Sequence, residues 1–397
     1  MEWRQTCMLF LIFLFQVLVN EVRSQGGNTV FDIRQFGATG DGQSDSSKAL
    51  EDAFSNACNV VGGRNQILVP EGTFMVTSAV FDGPCKGLIE FRVDGVIKAS
   101  AGIIDDDKWV AFRYIDGLVI TGEGTFDGFG ESAWNLNDCK MNSQCKHLPT
   151  SIRLDFVKNS VVSGIHSLNS KFFHMKIYKC NNINVDGVHI IAPEDSPNTD
   201  GIHIGDSANI NILNSVIATG DDCISMGPGN KNILIQNITC GPGHGISIGS
   251  LGKYNNEADI SGITVQHCTL SQTMYGLRIK TWASDIQLTA YNITYDDVVM
   301  DNANHPILID QEYCPSMGCD ESKPSSVQIK DVWYKNIRGS SKSQSAVNLK
   351  CSSKYPCDNI NFFNIDLLYQ NSDNSVNANC KNVRGSASGI EKPPSCL

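Results

Sequence analysis

Charge is scarce in this chain of 397 residues: 18% of it is Asp, Glu, Lys or Arg, and acids outnumber bases 42 to 31. A formal charge of −11 excludes a general nucleic-acid binder. Any site for a polyanion must therefore be locally basic. Long apolar runs are also missing. The main one, Met8–Val19 (MLFLIFLFQVLV), is short of the ~20 residues a membrane span needs. It follows Arg4 and precedes the small Ser24, so residues 1–24 read as a signal peptide and 25–397 as the secreted chain, with no membrane segment. No CxxC pair stands beside a matching His pair, which argues against structural zinc. Linkers and low-complexity stretches are absent too, so 25–397 is expected to form one domain.

Cysteine and glycine, by contrast, are plentiful: 15 and 35 residues. Cys7 falls in the signal segment, leaving an even number in a chain bound for an oxidising compartment, which suggests disulfides. Spacing nominates Cys351–Cys357, Cys139–Cys145, Cys314–Cys319, Cys58–Cys85, Cys223–Cys240 and Cys380–Cys396. Cys180 and Cys268 remain, and are expected to be buried free thiols. Asn237-Ile-Thr and Asn292-Ile-Thr are glycosylation sequons in a secreted chain.

Internal repetition sets the expected fold. Short alternating strands recur along the chain, led by Val161, Ile183, Ile210, Ile233, Ile263, Ile293, Val327 and Ile360, and often entered through Asn or Gly. Single strands at such intervals, without helical periodicity between them, predict a solenoid rather than a sandwich. A second set superposes without gaps: FHMKI (173–177), DGIHI (200–204), DCISM (222–226), HGISI (244–248) and YGLRI (275–279). Its third and fifth residues are apolar throughout and should point inward. Its fourth forms an outward column: Lys176, His203, Ser225, Ser247, Arg278. The fold class predicted is all-β, a parallel β-helix with successive coils ~4.8 Å apart. Ser46–Cys58 reads as a short amphipathic helix capping the N-terminal end, and the cysteine-rich tail after about 350 as the cap at the other end.

The first residue of the same register carries the chemistry: Asp200, Asp222 and His244 on consecutive coils, with Asp221 beside Asp222. Arg278 and Lys280 follow one coil later on one strand face. A lone Asp at a strand end is usually a turn former. Three carboxylates in register repel one another, however, and such crowding is costly unless used. Cleaving a glycosidic bond needs one carboxylic acid and one carboxylate, and crowding splits their pKa values. Arg278 and Lys280 suit a sugar that itself carries a carboxylate.

Four strings, Ser196-Pro-Asn-Thr-Asp-Gly201, Gly220-Asp-Asp-Cys223, Gly243-His-Gly245 and Arg278-Ile-Lys280, resemble in order and spacing the signature motifs of the polygalacturonase family of glycoside hydrolases. The opening FDIRQFGATGDGQSDSSKAL (31–50) resembles that family's N-terminus. The resemblance implies a right-handed β-helix that hydrolyses α-1,4 bonds of galacturonan (pectin) with inversion and without a metal or other cofactor. It implies Asp221 as general acid, Asp200 and Asp222 as the pair activating water, and His244 as the residue assisting the acid. Arg278 and Lys280 become galacturonate binders, Asn198 completes the first motif, and Tyr313 lines the leaving-group side. Bottom-up, a base acting through water predicts carboxyl groups ~6.5–9.5 Å from the acid. Lys176 and His203 are expected to contact a sugar next to the scissile bond.

The whole chain is most similar to pollen-type plant members, which are exo-acting, so exo action and a location in the cell wall or apoplast are expected. Endo action stays open, and depends on whether Gly128–Leu148 or Gly252–Asp259 blocks the cleft. A Ca²⁺-dependent pectate lyase, a relative acting on rhamnogalacturonan or xylogalacturonan, and a non-enzymatic wall-binding β-helix are the rival readings. Methyl-esterified pectin should be a poor substrate. A monomer is the expected state.

Overall fold

The computed structural model describes residues 29–104, 106–137, 145, 148–315, 323–369 and 375–397. The signal segment 1–24 lies outside the described residues. Strands pair in parallel from coil to coil and stack into three columns, a parallel β-helix wound in the right-handed sense.

In the first column Ile183, Ile210, Ile233, Ile263 and Ile293 stand directly over one another, each essentially inaccessible to water. Strands of the type Asn-Asn-Ile-Asn-Val-Asp (181–186) alternate inward apolar and outward polar residues, as the period of two demands. Their entry points sit in the left-handed region: Asn182, Asn209 and Asn232 have φ of 58°, 57° and 56°. Asn and Gly tolerate that conformation. The side chains then bond along the stack, Asn182 Nδ2 to Asn159 Oδ1 at 2.8 Å and Asn232 Nδ2 to Asn209 Oδ1 at 3.2 Å.

Two residues assigned to this column belong elsewhere. Ile183 pairs with Ser160, not Val161. Ser160 is buried and satisfied, accepting the Leu118 N–H and donating to the Lys158 carbonyl. A hydrogen-bonded serine thus stands in for the expected aliphatic residue. Ile293 pairs with Val332, while Val327 stacks on Leu288. The strand Val327–Ser341 is long enough to span a corner of the coil, so its first apolar residue belongs to an earlier position.

The second sheet carries the functional face. Its strands are β1 (Ala79–Asp82), β2 (Lys108–Arg113), β3 (Thr150–Asp155), β4 (Met175–Tyr178), β5 (Ile202–Gly205), β6 (Ile224–Met226), β7 (Ile246–Leu251), β8 (Tyr275–Trp282), β9 (His305–Tyr313), β10 (Ser345–Lys350) and β11 (Asn377–Lys381). The expected register holds: Met175, Ile202, Ile224, Ile246 and Leu277 stack, as do Ile177, Ile204, Met226, Ile248 and Ile279. Truncating one of these to Ala would cost about 2–5 kcal/mol.

Helix α1 (Ser47–Asn59) closes the N-terminal end, one residue later than expected at each boundary. Asp45 rather than Ser46 supplies the cap, its Oδ1 accepting the Ser47 N–H at 2.9 Å. Leu50, Ala53, Phe54 and Ala57 are buried as predicted, with the Phe54 ring 4.9 Å from Phe81 of β1. The tail does more than cap: β11 and Val383–Lys392 add further parallel strands to the stack. Cys380–Cys396 then ties the end back.

Cys58–Cys85, Cys223–Cys240 and Cys351–Cys357 are also bonded, and Cys180 and Cys268 are free and buried. Burial pushes their thiols up to about 12 and about 11, so neither is reactive at neutral pH. Cys145 and Cys314 are disulfide-bonded; Cys139 and Cys319, their expected partners, lie outside the described residues.

Candidate functional site

Parallel stacking brings the first-position residues together. The Gly201 N–H bonds the Asp222 carbonyl at 2.9 Å, and the Cys223 N–H bonds the Gly245 carbonyl at 2.9 Å, which places Asp200, Asp222 and His244 on consecutive coils. Glycine is required around them. A Cβ on Gly220 would lie 2.0 Å from the Ser196 carbonyl, and Gly245, at φ +79°, would meet the Tyr275 carbonyl at 2.2 Å. The Cys223–Cys240 disulfide, buried inside the coil, anchors the turn that bears Asp221 and Asp222.

Asp222 is the electrostatic centre. Its Oδ1 accepts Arg278 Nη2 at 2.6 Å and Ser247 Oγ at 2.8 Å; its Oδ2 accepts Lys280 Nζ at 2.8 Å. Burial alone would raise its pKa, but the two cations outweigh burial and hold it down to about 2. Arg278 is positioned further by Ser247 Oγ at 2.9 Å from its Nε and by the Tyr275 ring, 4.1 Å beneath the guanidinium.

Asp200 behaves oppositely. Burial, reinforced by the neighbouring Asp221 and Asp222, pushes its pKa well above the usual carboxylate range. Its Oδ2 accepts Ser225 Oγ at 2.7 Å, and that hydroxyl also meets His203 Nδ1 at 2.8 Å. The two buried carboxylates are thus shifted in opposite directions, Asp200 up and Asp222 down.

Asp221 is the more open carboxylate, its side chain 20% exposed against 1% for Asp222. Its Oδ1 accepts the Asp222 N–H at 2.8 Å and faces His244 Nδ1 at 2.9 Å. Asn198, in the left-handed region at φ 53°, brings its Nδ2 to 3.4 Å from Asp221 Oδ2. All four motifs thus meet at one point.

The closest approach of the two adjacent carboxylates is short. An oxygen of Asp221 lies within 4.8 Å of one of Asp222, because adjacent residues share one turn and the backbone of Asp222 is tied to Asp221. One oxygen–oxygen approach is not the carboxyl separation that distinguishes inversion from retention, and it does not decide the stereochemistry. Asp221, Asp222 and His244 are spaced closely enough to bind a metal ion. A cation there would have to displace Arg278 and Lys280 from Asp222, which is electrostatically unfavourable.

Tyr313 pairs with Trp282 in register, and its ring lies 5.4 Å from Lys280 Nζ. Lys176 and His203 are adjacent in register on β4 and β5. His203 is half-buried, its ring stacked 4.9 Å from Phe173. Burial, with Lys176 and Lys280 nearby, lowers its pKa to about 3, so it is neutral at working pH. Burial also lowers that of Lys176, with Arg153 contributing. Three participants were missed as functional groups. Ser225, Ser247 and Tyr275 stood in the aligned columns, but serine and tyrosine there carried no charge signal.

Comparisons with known proteins agree with this geometry. The family model described as "Glycosyl hydrolases family 28" matches residues 58–391. An exopolygalacturonase of Zea mays is 44% identical, with 98% of each chain covered. One of Platanus acerifolia is 44% identical over 93% of this chain and 98% of its own. Among solved structures, an endo-xylogalacturonan hydrolase from Aspergillus tubingensis superposes with a TM-score of 0.76 at 24% identity, covering 91% of this chain and all of that one (100%). A Thermotoga maritima exopolygalacturonase gives 0.70 at 19%, covering 87% and 89%. At those identities the structural likeness speaks for the fold.

Proposed function

This chain belongs to glycosyl hydrolases family 28, and from that premise we propose that it hydrolyses α-1,4-galacturonosidic bonds of de-esterified pectin, with inversion and from the chain end. One observation carries the reading: two basic side chains, buried and convergent on Asp222, stand within a trio of carboxylates. A glycosidase for neutral sugars has no use for that pair, whereas a uronate carboxylate is its natural ligand.

Asp221, open to the cleft and bonded to His244, delivers the proton to the leaving oxygen. Asp200 and Asp222 hold the attacking water between them. Asp222 accepts its proton once the incoming uronate draws Arg278 and Lys280 away and restores its basicity. Asn198 steadies Asp221, Tyr313 borders the departing sugar, and Lys176 and His203 flank the sugar on the other side.

Exo action is favoured by the names of the Zea mays and Platanus acerifolia relatives and by the aromatic wall beside His203. The rings of Phe172 and Phe173 stack at 4.1 Å, one coil before Asp200. Trp134 Nε1 bonds the Ser170 carbonyl at 3.1 Å, packing part of the 128–148 segment against the same turn. The proposal extends to secretion of 25–397 as one catalytic domain after loss of 1–24, to the cell wall, with glycans on the exposed Asn237 and Asn292.

The test is digestion of polygalacturonate in EDTA, following viscosity, reducing ends and ultraviolet absorbance together. Release of monogalacturonate at nearly constant viscosity is expected. A rapid viscosity fall reverses the exo assignment. An absorbance rise restored only by Ca²⁺ replaces hydrolysis with lyase chemistry, and silence in every channel leaves a binding protein.

A further inference from the structure

Beyond the catalytic coils the same face carries basic groups that the chemistry above does not use. Lys280 of β8 pairs in register with Asp310 of β9, Asp310 with Lys350 of β10, and Lys350 with Lys381 of β11. One straight column therefore runs from the catalytic Lys280 toward the C-terminal end. At ~4.8 Å per coil it extends about 14 Å. Beside it lies a cavity of about 500 Å³, lined by Asp310, Glu312, Lys323, Lys350 and Lys381 among others.

The charge balance is telling in so acidic a chain. Lys323, Lys350 and Lys381 line the cavity with Asp310 and Glu312; Lys323 Nζ lies 3.6 Å from Asp285 and Lys381 Nζ 2.6 Å from Glu312, both solvent-exposed pairs. Lys350 is exposed and forms no ion pair among the described residues. On the opposite side of the catalytic coils Phe173 stacks on His203 and Phe172 on Phe173. The cations on that side, Arg153 and Lys176, are half-buried, whereas Lys350 and Lys381 are exposed.

Resting on the galacturonan reading, we propose that Lys350 and Lys381 form a distal binding track for the uronate units of the same chain that lie beyond the cleaved bond. The track raises affinity for long substrates without touching the reacting sugars. A dimer of galacturonate spans only the catalytic coils and gains nothing from it. A long oligogalacturonide places further carboxylates over β10 and β11, where exposed cations attract them in a salt-sensitive manner.

The test compares Lys350→Glu/Lys381→Glu with wild type on digalacturonate and on a long oligogalacturonide, at low and high salt, with thermal midpoints recorded. Two exposed contacts reversed in sign should raise KM for the long substrate about five- to tenfold at low salt. The digalacturonate parameters should not move, and the difference should shrink in high salt. Lys350→Gln/Lys381→Gln, which removes charge without reversing it, should give a smaller shift in the same direction. Equal losses on both substrates, or none on either, overturn the track. Wild type inert toward both substrates defeats the galacturonan reading itself, a result distinct from either.

Discussion

Arg278 places its Nη2 2.6 Å from Oδ1 of Asp222, so the group best suited to a substrate carboxylate is already engaged by a carboxylate of the protein. Lys280 takes the other oxygen. Binding a uronate is then an exchange: the substrate takes part of the cations' attention, and Asp222, held near pKa 2 by them, becomes a better base. On the proposed roles, recognition and base activation become one event.

Removing Lys280 (Lys280→Ala) should therefore cost in two ways. Loss of one preorganised charge contact lowers kcat/KM on polygalacturonate by about 10²–10³-fold. Breaking a buried ion pair destabilises by up to about 3–5 kcal/mol, less where a second cation remains, as Arg278 does here. Steady-state kinetics and urea unfolding check both. Fully methyl-esterified pectin, with no charge to make the exchange, should show a comparable loss with the unaltered enzyme. Equal rates on esterified and free substrate would refute the role of the pair.

Asp221→Asn should lower kcat by about 10²–10⁴-fold, the usual scale for a general acid. The fold should persist, since an amide oxygen can still accept the Asp222 N–H that Asp221 holds at 2.8 Å. His244→Ala should cost less, because His244 reaches the reaction through Asp221. If Asp221→Asn keeps near-normal turnover with an unchanged thermal midpoint, the acid lies elsewhere.

Much of this was legible beforehand, and the failures have physical causes. The aligned strands carrying Asp200, Asp222, His244 and Arg278 read correctly, because a period of two with Ile, Met or Leu at every inward position admits one register. Val161 and Val327 misled because a satisfied Ser160 filled an interior position and because the strand from Val327 to Ser341 runs through a corner. The upward shift of Asp200 was not readable at all. It follows from burial and from two neighbouring carboxylates, and burial is a property of the assembled coils. Ser225 and Ser247 looked like solvated residues until the structure put their hydroxyls on Asp200 and Asp222.

The pH dependence of stability follows from these opposed shifts. Asp200 has a raised folded pKa, so its contribution is complete below the unfolded value near 4 and is lost as pH climbs through the folded one. Asp222, lowered to about 2, stabilises above the unfolded value and loses that contribution as pH falls toward 2. His203 and His174, each lowered to about 3 by burial, cost stability as pH drops below 6.5. Asp200→Asn isolates the first of these. Its stability relative to wild type should rise with pH above about 4, by at most about 1.4 kcal/mol per unit. A constant difference across urea titrations from pH 4 to pH 8 would mean that Asp200 is ionised in the fold.

Lys176→Ala should raise KM for oligogalacturonides with little change in kcat, since Lys176 borders the catalytic coils without reaching Asp200 or Asp222. Its ammonium is half-buried, over the Tyr178 ring at 5.6 Å, and burial together with Arg153 already works against its charge. A uronate carboxylate would relieve that cost. Unchanged KM would remove Lys176 from the substrate path.

Glycine at 227 offers the cleanest separation of folding from function. Its backbone is outside the left-handed region, and a Cβ there would meet only ordinary contacts, the Ile204 carbonyl at 3.6 Å and the His203 ring at 3.7 Å. The fold does not demand glycine: Gly205 ends β5 and Gly227 follows β6, both beside the His203 ring, 3.9 Å and 3.7 Å from the Cβ each would gain. An alanine at such a site ordinarily stabilises by about 0.4–1 kcal/mol through the unfolded chain. Gly227→Ala should thus keep or raise the thermal midpoint, and Gly227→Leu should stay folded while losing kcat/KM, because the side chain occupies the space a sugar ring needs. Binding of a galacturonate oligomer, followed by calorimetry with the acid disabled by Asp221→Asn, should weaken in step. If Gly227→Leu is folded and fully active, the substrate does not pass over this strand end.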